Sequence, residues 1–464
     1  MTPEVHYLSL SDLANRIRNG HLSSFQVTRA VLDRIEKLDR RLKSYAAVTP
    51  DRALSVAAQL DEEAGDGRRI RGPLHGVPIA VKDLCNTAGV ATAAGMAIHM
   101  QHMPDKDATV VARLKAAGAV ILGKLQMTEG AYGTHHPTVE PPKNPWNAAY
   151  WTGVSSSGSG VATAAGLCFG SLGSDTGGSI RFPSTMNGLS GLKPTWGRVS
   201  RAGVFPLAES LDHIGPMCRS ALDAALMLGV IAGADPDDPT ASHRPVPDYA
   251  GAINAGVEGK HVGVPNNLVG MDADSQRALD GAVEAFMDMG ARLIEVKLPE
   301  LDEATLAWVP LCGLEAALAH QVTFPARRVD YGPDLAALLD LGRKLSGLEL
   351  GKLQLIRARV KGQIEALLSD VDLLLMPVMG HAAPTLASLA AAGRTPQTTL
   401  ARLRYTAPFD MSGHPTLTLP GGMTADGVPV GFQIVGGAFE EAAILAAGHG
   451  YQQITDWHLK RPPI

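Results

Sequence analysis

Seven short apolar runs, punctuated by Gly and Pro, recur along the chain: Val77–Val81, Val120–Leu122, Val262–Val264, Leu293–Val296, Leu373–Met376, Leu417–Leu419 and Val430–Val435. Patterns of helical period lie between most of them, as in Asp107–Ala117, Ser275–Met289 and Leu350–Ser369. Strand-sized runs alternating with helices restrict the chain to an α/β body around a largely parallel or mixed sheet. The N-terminal stretch predicts helices of its own. Ser11 is positioned to cap a short helix that Gly20 stops, and Ser23 with Gln26 has capping-box spacing ahead of the stripe Val27, Val31, Ile35 and Leu38. An alanine-rich helix is predicted over Asp51–Asp66, followed by a charged turn, Gly67–Arg71. Residues Ala304–Thr399 are mostly Ala/Leu-rich helix, read as an insertion over one face of the sheet or as part of its outer helical layer. Asp235–Pro247 is the best linker candidate, but with no internal repeat the whole chain, 1–464, is read as one domain.

Charge and composition narrow the partners. Lys and Arg total 41 against 46 Asp and Glu, a net charge of −5, and charged residues are 19% of the chain. Without a basic block the phosphate backbone of a nucleic acid has nothing to bind. With 45% hydrophobic residues the chain can bury a large core, which excludes global disorder. Met1–Leu10 shows no signal-peptide pattern, and no apolar run reaches the roughly 18 residues of a membrane span. A soluble, cytoplasmic protein is expected. The four cysteines, Cys85, Cys168, Cys218 and Cys312, have neither metal-ligand nor redox spacing and read as reduced core residues.

Glycine is 50 of 464 residues, about 11% where roughly 7% is ordinary, and the excess peaks between Gly153 and Gly191. The stretch contains Thr152-Gly-Val-Ser155-Ser156-Ser157-Gly-Ser159-Gly160 and, further on, Gly173-Ser-Asp175-Thr-Gly-Gly-Ser179-Ile-Arg181. A phosphate-binding P-loop needs a Lys directly after its glycines, and none follows before Lys193. A dinucleotide turn lacks its third glycine and its preceding strand. The nucleophile elbow of Ser-His-Asp hydrolases needs Gly two places after the serine; Ser155 is followed by Ser156-Ser157 and Ser179 by Ile180-Arg181. What remains is a serine beside a backbone anion nest, since Thr176-Gly177-Gly178-Ser179 offers successive N–H groups on a chain free to adopt positive φ. Such donors suit a tetrahedral acyl intermediate, and the serine then needs a base. Lys82, ending the apolar run Val77–Val81, is a candidate if burial favours its neutral form.

Five separated motifs give this reading a family. Gly76-Val-Pro-Ile-Ala-Val-Lys82-Asp-Leu, Asn144-Pro-Trp-Asn, the run Ser155–Ser159, Gly173–Pro183 and Gly191-Leu-Lys-Pro-Thr resemble the amidase signature family, and Leu211–Pro216 and Pro408–Gln433 extend the resemblance over almost the whole chain. The resemblance implies a three-layer α/β/α fold with a large mixed, mostly parallel sheet. It implies an amidohydrolase with a Ser–cis-Ser–Lys triad: nucleophile Ser179, bridging Ser155 after a cis peptide bond from Val154, and base Lys82. The N–H groups of Thr176, Gly177, Gly178 and Ser179 would hold the oxyanion, with neither metal nor organic cofactor. Val154 and Ser157 stand where many members have Gly. The partners expected are a small amide, ester or carbamate and at most a second copy of the chain as homodimer, with neither nucleic acid nor membrane.

The neighbouring polar residues have plainer readings. Ser156, Ser157 and Ser159 read as hydrogen-bonding scaffold, Asp175 and Arg181 as a structural ion pair or loop anchor, and Cys85 as a packed thiol. His135-His136 reads as a loop or pocket wall, because adjacent histidines point apart on regular elements. The alternative function is the glutamine-hydrolysing component, the A subunit, of a glutamyl-tRNA amidotransferase-like complex. The acid that such a component sets on glutamine's amino group falls here at Leu403, and Asp410 stands where it has Asn. In this family the 304–399 region helps cover the catalytic groove, and here it is unusually apolar, with Ala304, Leu306, Trp308, Val309, Leu311 and Leu314 on one face and Leu335, Leu338, Leu339 and Leu345 on another. Together with Gly130, Ala131, Tyr132 and Leu403 as candidate pocket residues, this predicts neutral aryl or alkyl amides, anilides or carbamates as better substrates than glutamine, asparagine or malonamate.

Overall fold

The computed structural model describes residues 5–65 and 69–464. The strands, in chain order, are β1 (Tyr45–Val48), β2 (Pro78–Lys82), β3 (Val120–Leu125), β4 (Gly170–Asp175), β5 (Ser190–Lys193), β6 (His213–Cys218), β7 (His261–Pro265), β8 (Arg292–Val296), β9 (Leu373–Pro377), β10 (Thr416–Met423) and β11 (Pro429–Gly436). They form one sheet in the order β1-β3-β2-β4-β6-β5-β10-β11-β9-β7-β8. All seven predicted runs lie in it. Helices cover both faces, as the parity of β4 makes visible: a side chain at Gly170 would meet Met227 and Leu10, whereas one at Gly173 would meet Ile180 and Ser156 on the other side.

The sheet is mixed, but the expected parallel majority is absent. Only β2/β3, β2/β4, β7/β8 and β7/β9 are parallel. The remaining six pairings, β4/β6, β5/β6, β5/β10, β10/β11, β9/β11 and β1/β3, are antiparallel. The reason lies in strands without an apolar signature. β4, β5 and β6 read Gly-Ser-Leu-Gly-Ser-Asp, Ser-Gly-Leu-Lys and His-Ile-Gly-Pro-Met-Cys, and they supply the antiparallel centre. β10 and β11 are joined by a short turn, which only an antiparallel pair permits.

One local expectation is corrected. The first long helix, Leu10–Arg18, is capped by Ser9, whose hydroxyl accepts from the Asp12 N–H; Ser11 lies inside it and shares a hydrogen bond with Ser9. The charged turn Gly67–Arg71 falls partly outside the described residues, while the preceding helix runs Pro50–Gly65. Ser23 caps the helix Ser24–Leu42 through the Gln26 N–H. Among the described residues no helix is long and apolar enough to cross a membrane, and Cys85, Cys168, Cys218 and Cys312 are all free and buried.

Candidate active site

The chemistry gathers at the C-terminal edge of the parallel trio β3-β2-β4, where α/β sheets collect their functional groups. Lys82 is the last residue of β2, a strand buried along its whole length. Its Nζ donates to Ser155 Oγ at 2.6 Å, to Ser156 Oγ at 2.8 Å and to Ser174 Oγ at 2.8 Å. No carboxylate pairs with it among the described residues. Burial without a counter-ion disfavours the ammonium, and the Lys82 pKa is pulled from 10.5 down to about 7. Ser174, on the neighbouring strand β4, was not expected from the sequence.

The three hydroxyls are not equivalent. Ser156 Oγ donates to the Ser174 carbonyl at 3.2 Å and accepts from the Ser174 N–H at 3.3 Å, so towards Lys82 it is an acceptor. Ser155 Oγ has no partner other than Lys82 among the described residues. The peptide bond Val154–Ser155 is cis. The Val154 side chain is half-buried against an apolar cluster that includes Trp151, Phe182 and Met186, which accounts for a branched residue where glycine is common. The other serines act as scaffold: Ser159 Oγ donates to the Leu172 carbonyl at 2.9 Å, and Ser157 Oγ pairs with His135 Nε2 at 2.9 Å. Burial pulls the His135 pKa to about 4, and His136 turns instead to Thr138 at 2.7 Å.

Ser179 follows β4 in the turn before the helix Arg181–Asn187. It is partly exposed in an otherwise buried stretch, and its main-chain carbonyl accepts from the Ser156 N–H at 3.4 Å. Its hydroxyl makes no hydrogen bond among the described residues. Asp175 organises the loop that carries it. Its carboxylate accepts from the Gly178 N–H at 2.5 Å and the Ile180 N–H at 3.0 Å, and meets Arg181 Nε at 3.0 Å and Nη2 at 2.9 Å. Burial raises the Asp175 pKa, but the charge and hydrogen bonds of Arg181 outweigh it and hold the carboxyl well below its ordinary range. Arg181 also reaches Asp410 Oδ2 at 2.5 Å.

This anchoring corrects one expected donor. The Gly178 N–H is already taken by Asp175, so it does not point into the site, whereas the N–H groups of Thr176, Gly177 and Ser179 donate to no acceptor among the described residues. The carbonyls of the same loop are tied back, Thr176 O by the Trp308 indole at 2.6 Å and Gly177 O by Thr406 Oγ1 at 2.7 Å. Both groups belong to distant chain segments that sequence spacing could not connect to the loop.

A cavity of about 450 Å³ opens over Ser179. Thr176, Gly177, Val154 and Phe182 form its base, and Ala131, Tyr132, Leu306, Trp308, Val309 and Leu403 contribute to its walls. Gly130 does not line it; a side chain there would meet Leu335 Cδ2 at 2.7 Å, so the glycine packs outward against the helical region. Ala304, Leu311, Leu335, Leu338 and Leu339 are core residues rather than cavity wall. Two charged residues line the same cavity, Arg394 and Arg402, and neither was expected from the sequence. A neighbouring cavity of about 570 Å³ shares Ala131 and Leu207 with it and reaches Ser174.

Known proteins agree with this architecture. The model of the Amidase family matches residues 26–445. The Mycobacterium tuberculosis (strain H37Rv) protein named "Putative amidase AmiD" is 49% identical over 458 residues, covering 98% of this chain and 96% of that protein. The A subunit of the glutamyl-tRNA(Gln) amidotransferase of Geobacter sp. (strain M21) is 36% identical over 492 residues, covering 99% of this chain and all of that one, 100%. The solved peptide amidase of Stenotrophomonas maltophilia superposes with a TM-score of 0.87 at 31% identity, covering 100% of this chain and 99% of its own. A family match running nearly from end to end, on a fold shared with solved members, makes the conclusion direct: this chain belongs to the amidase signature family and is an amidohydrolase.

Proposed function

We propose that the protein hydrolyses amide C–N bonds through an acyl-enzyme on Ser179, with Ser155 and Lys82 as its proton relay. The observation that carries this reading is a buried lysine with no counter-ion, held by serine hydroxyls beside a serine at the base of a cavity. As a neutral amine, Lys82 has two hydrogens and one lone pair. Ser156 takes one hydrogen, because its own proton is on the Ser174 carbonyl, and we assign the other to Ser174, whose hydroxyl, like that of Ser155, has no partner but Lys82 among the described residues. The lone pair is left for the Ser155 proton, and Ser155 Oγ then accepts the proton of Ser179 as Ser179 Oγ attacks the carbonyl carbon. The oxyanion is received by the N–H groups of Thr176, Gly177 and Ser179. Collapse of the tetrahedral adduct breaks the C–N bond, and the proton returns through Ser155 to the leaving amine. Water then attacks the acyl-enzyme, giving up its proton to the same relay, and the acid is released with Ser179 restored.

Gly178→Ala tests the loop. Gly178 sits at φ +134°, and a Cβ there would collide with the Phe182 ring. Displacing the loop moves its free N–H groups, and losing one such donor costs about 10²–10³ in kcat. We expect kcat on an amide to fall by about that factor with KM changed far less, as steady-state kinetics would measure.

The cavity walls favour a substrate with an aryl or medium alkyl body, each buried CH₂ contributing about 0.8 kcal/mol. Leu403 offers an aliphatic side chain and no partner for an α-ammonium. The purified chain alone is therefore expected to hydrolyse simple anilides with at least about tenfold higher kcat/KM than glutamine. Glutamine as the better substrate, or activity only after a partner chain is added, would favour the amidotransferase reading instead.

A further inference from the structure

We propose that Arg402 is a carboxylate anchor in the cavity, so that the preferred substrates are amides joining an aryl or alkyl body to a carboxylate. This rests on the Ser179 hydrolase reading above.

The cavity lining leaves positive charge uncompensated. Among the residues that line it the charged ones are Arg394 and Arg402, and no Asp or Glu is among them. Arg394 has a counter-ion outside the lining, Asp334, which also accepts from Thr134 Oγ1 at 2.7 Å. Arg402 makes neither an ion pair nor a hydrogen bond among the described residues. Its guanidinium lies over the Trp151 ring, Cζ 5.6 Å from the centroid, and the residue is half-buried. Burial first, and the nearby Arg394 second, press against its charge.

Elsewhere the chain does not leave such arginines alone. Arg181 is held by Asp175 and Asp410, and Arg404, two residues beyond Arg402, turns away to Asp302. Arg357 donates to the Met411 carbonyl and to Ser210, and Arg219 to the carbonyls of Thr163 and Cys168. A guanidinium carries five N–H donors, and an indole face beneath it uses none of them. Stacking on Trp151 orients the planar fork and leaves its edge for a bidentate acceptor. Asp334 supplies one negative charge near two arginines, so the mouth of the cavity stays positive. A carboxylate is the chemistry that fits a flat, oriented, unpaired cation beside apolar walls. A second cation, such as an α-ammonium, is what it repels.

The carboxylate can lie on the amine or on the acyl side of the scissile bond, and two matched pairs distinguish these. On the amine side 4-acetamidobenzoate is compared with acetanilide; on the acyl side succinanilate is compared with butyranilide. A charge-assisted contact of this kind is worth about tenfold to a hundredfold in discrimination. We expect the carboxylated member of at least one pair to be preferred by tenfold or more in kcat/KM. In Arg402→Met that ratio should collapse towards one, mainly through KM, and in Arg402→Lys it should take an intermediate value. Labelling of Ser179 by a neutral fluorophosphonate identifies variants whose site has stayed assembled. A wild-type ratio below tenfold in both pairs, or a ratio that survives in Arg402→Met, overturns the anchor while leaving the hydrolase reading intact. If the wild-type chain cleaves none of the four amides while Ser179 is still labelled, the anchor proposal fails; if Ser179 is not labelled either, it is the Ser179 hydrolase reading that fails.

Discussion

Ser179→Ala is expected to lower amide turnover by at least about 10⁴-fold and to remove labelling by fluorophosphonate, with thermal stability within a degree or two of the parent. The size of the loss follows from covalent chemistry: without the hydroxyl there is no acyl-enzyme, and the free N–H groups and the cavity can offer only binding and oxyanion stabilisation. The small structural effect follows from the geometry. The Ser179 side chain is partly exposed and makes no hydrogen bond among the described residues, so its removal leaves no buried partner unsatisfied. Activity and intact-mass labelling check the first half, and a melt checks the second. Labelling undiminished in Ser179→Ala would move the nucleophile elsewhere.

Lys82→Ala is expected to cost about 10³–10⁴-fold, because a relay acts as a unit and loses most of its function with any one member. The pH profile of the parent enzyme tests the same residue without mutation. On the proposed relay the active form is the neutral amine, whose pKa is pulled down to about 7, so kcat/KM should fall about tenfold per pH unit below 7 and level off above it. Stability follows a matching sign. In the unfolded chain Lys82 keeps its proton up to about 10.4, so the penalty for burying its amine is full below pH 7, where the folded chain also carries the proton, and fades as pH rises to the ordinary lysine value. Lys82→Met removes that linkage. Relative to the variant, the parent should therefore gain in melting temperature between pH 7 and pH 9.5.

The runs in β2, β3, β7, β9, β10 and β11 were legible because these strands bury Val, Ile and Leu, which leaves a readable pattern, while the edge strand β8 was legible from its Leu293, Ile294 and Val296 although only Val296 is buried. β4, β5 and β6 left none. They are wholly buried, yet their few apolar residues, Leu172, Leu192, Ile214 and Met217, are interrupted by Gly and Ser where neighbours come close: a Cβ at Gly173 would stand 2.7 Å from Met217 Sδ. Small residues chosen for close approach carry no period of two. The edge strand β1, Tyr-Ala-Ala-Val, is short enough to be lost between two helices. At the site, residue chemistry alone led to a serine, an anion nest and a buried lysine; the resemblance selected Ser155 as the bridge. Ser174 could not be read, because its contact with Lys82 depends on which strands are neighbours in the sheet. Nor could the Gly178 N–H be set aside without the Asp175 carboxylate that occupies it. Arg402 was hidden although its neighbour Leu403 was read as a pocket residue, because its lack of a counter-ion depends on what tertiary folding places around it.

The groups proposed for bond breaking, Lys82 and Ser174 on β2 and β4 and Ser155 and Ser179 on loops before and after β4, all come from residues 82–179, whereas much of the cavity wall comes from the helix Asp302–Ala319 and from residues 393–403. Drift in the later segments can therefore change what is held without moving what cuts it. The arrangement works as a fixed tool with an exchangeable grip, the two meeting at points such as the Trp308 indole on the Thr176 carbonyl. A lineage with this layout can acquire a new diet by substitutions at 306, 309, 394, 402 and 403 while its reactive centre is inherited unchanged.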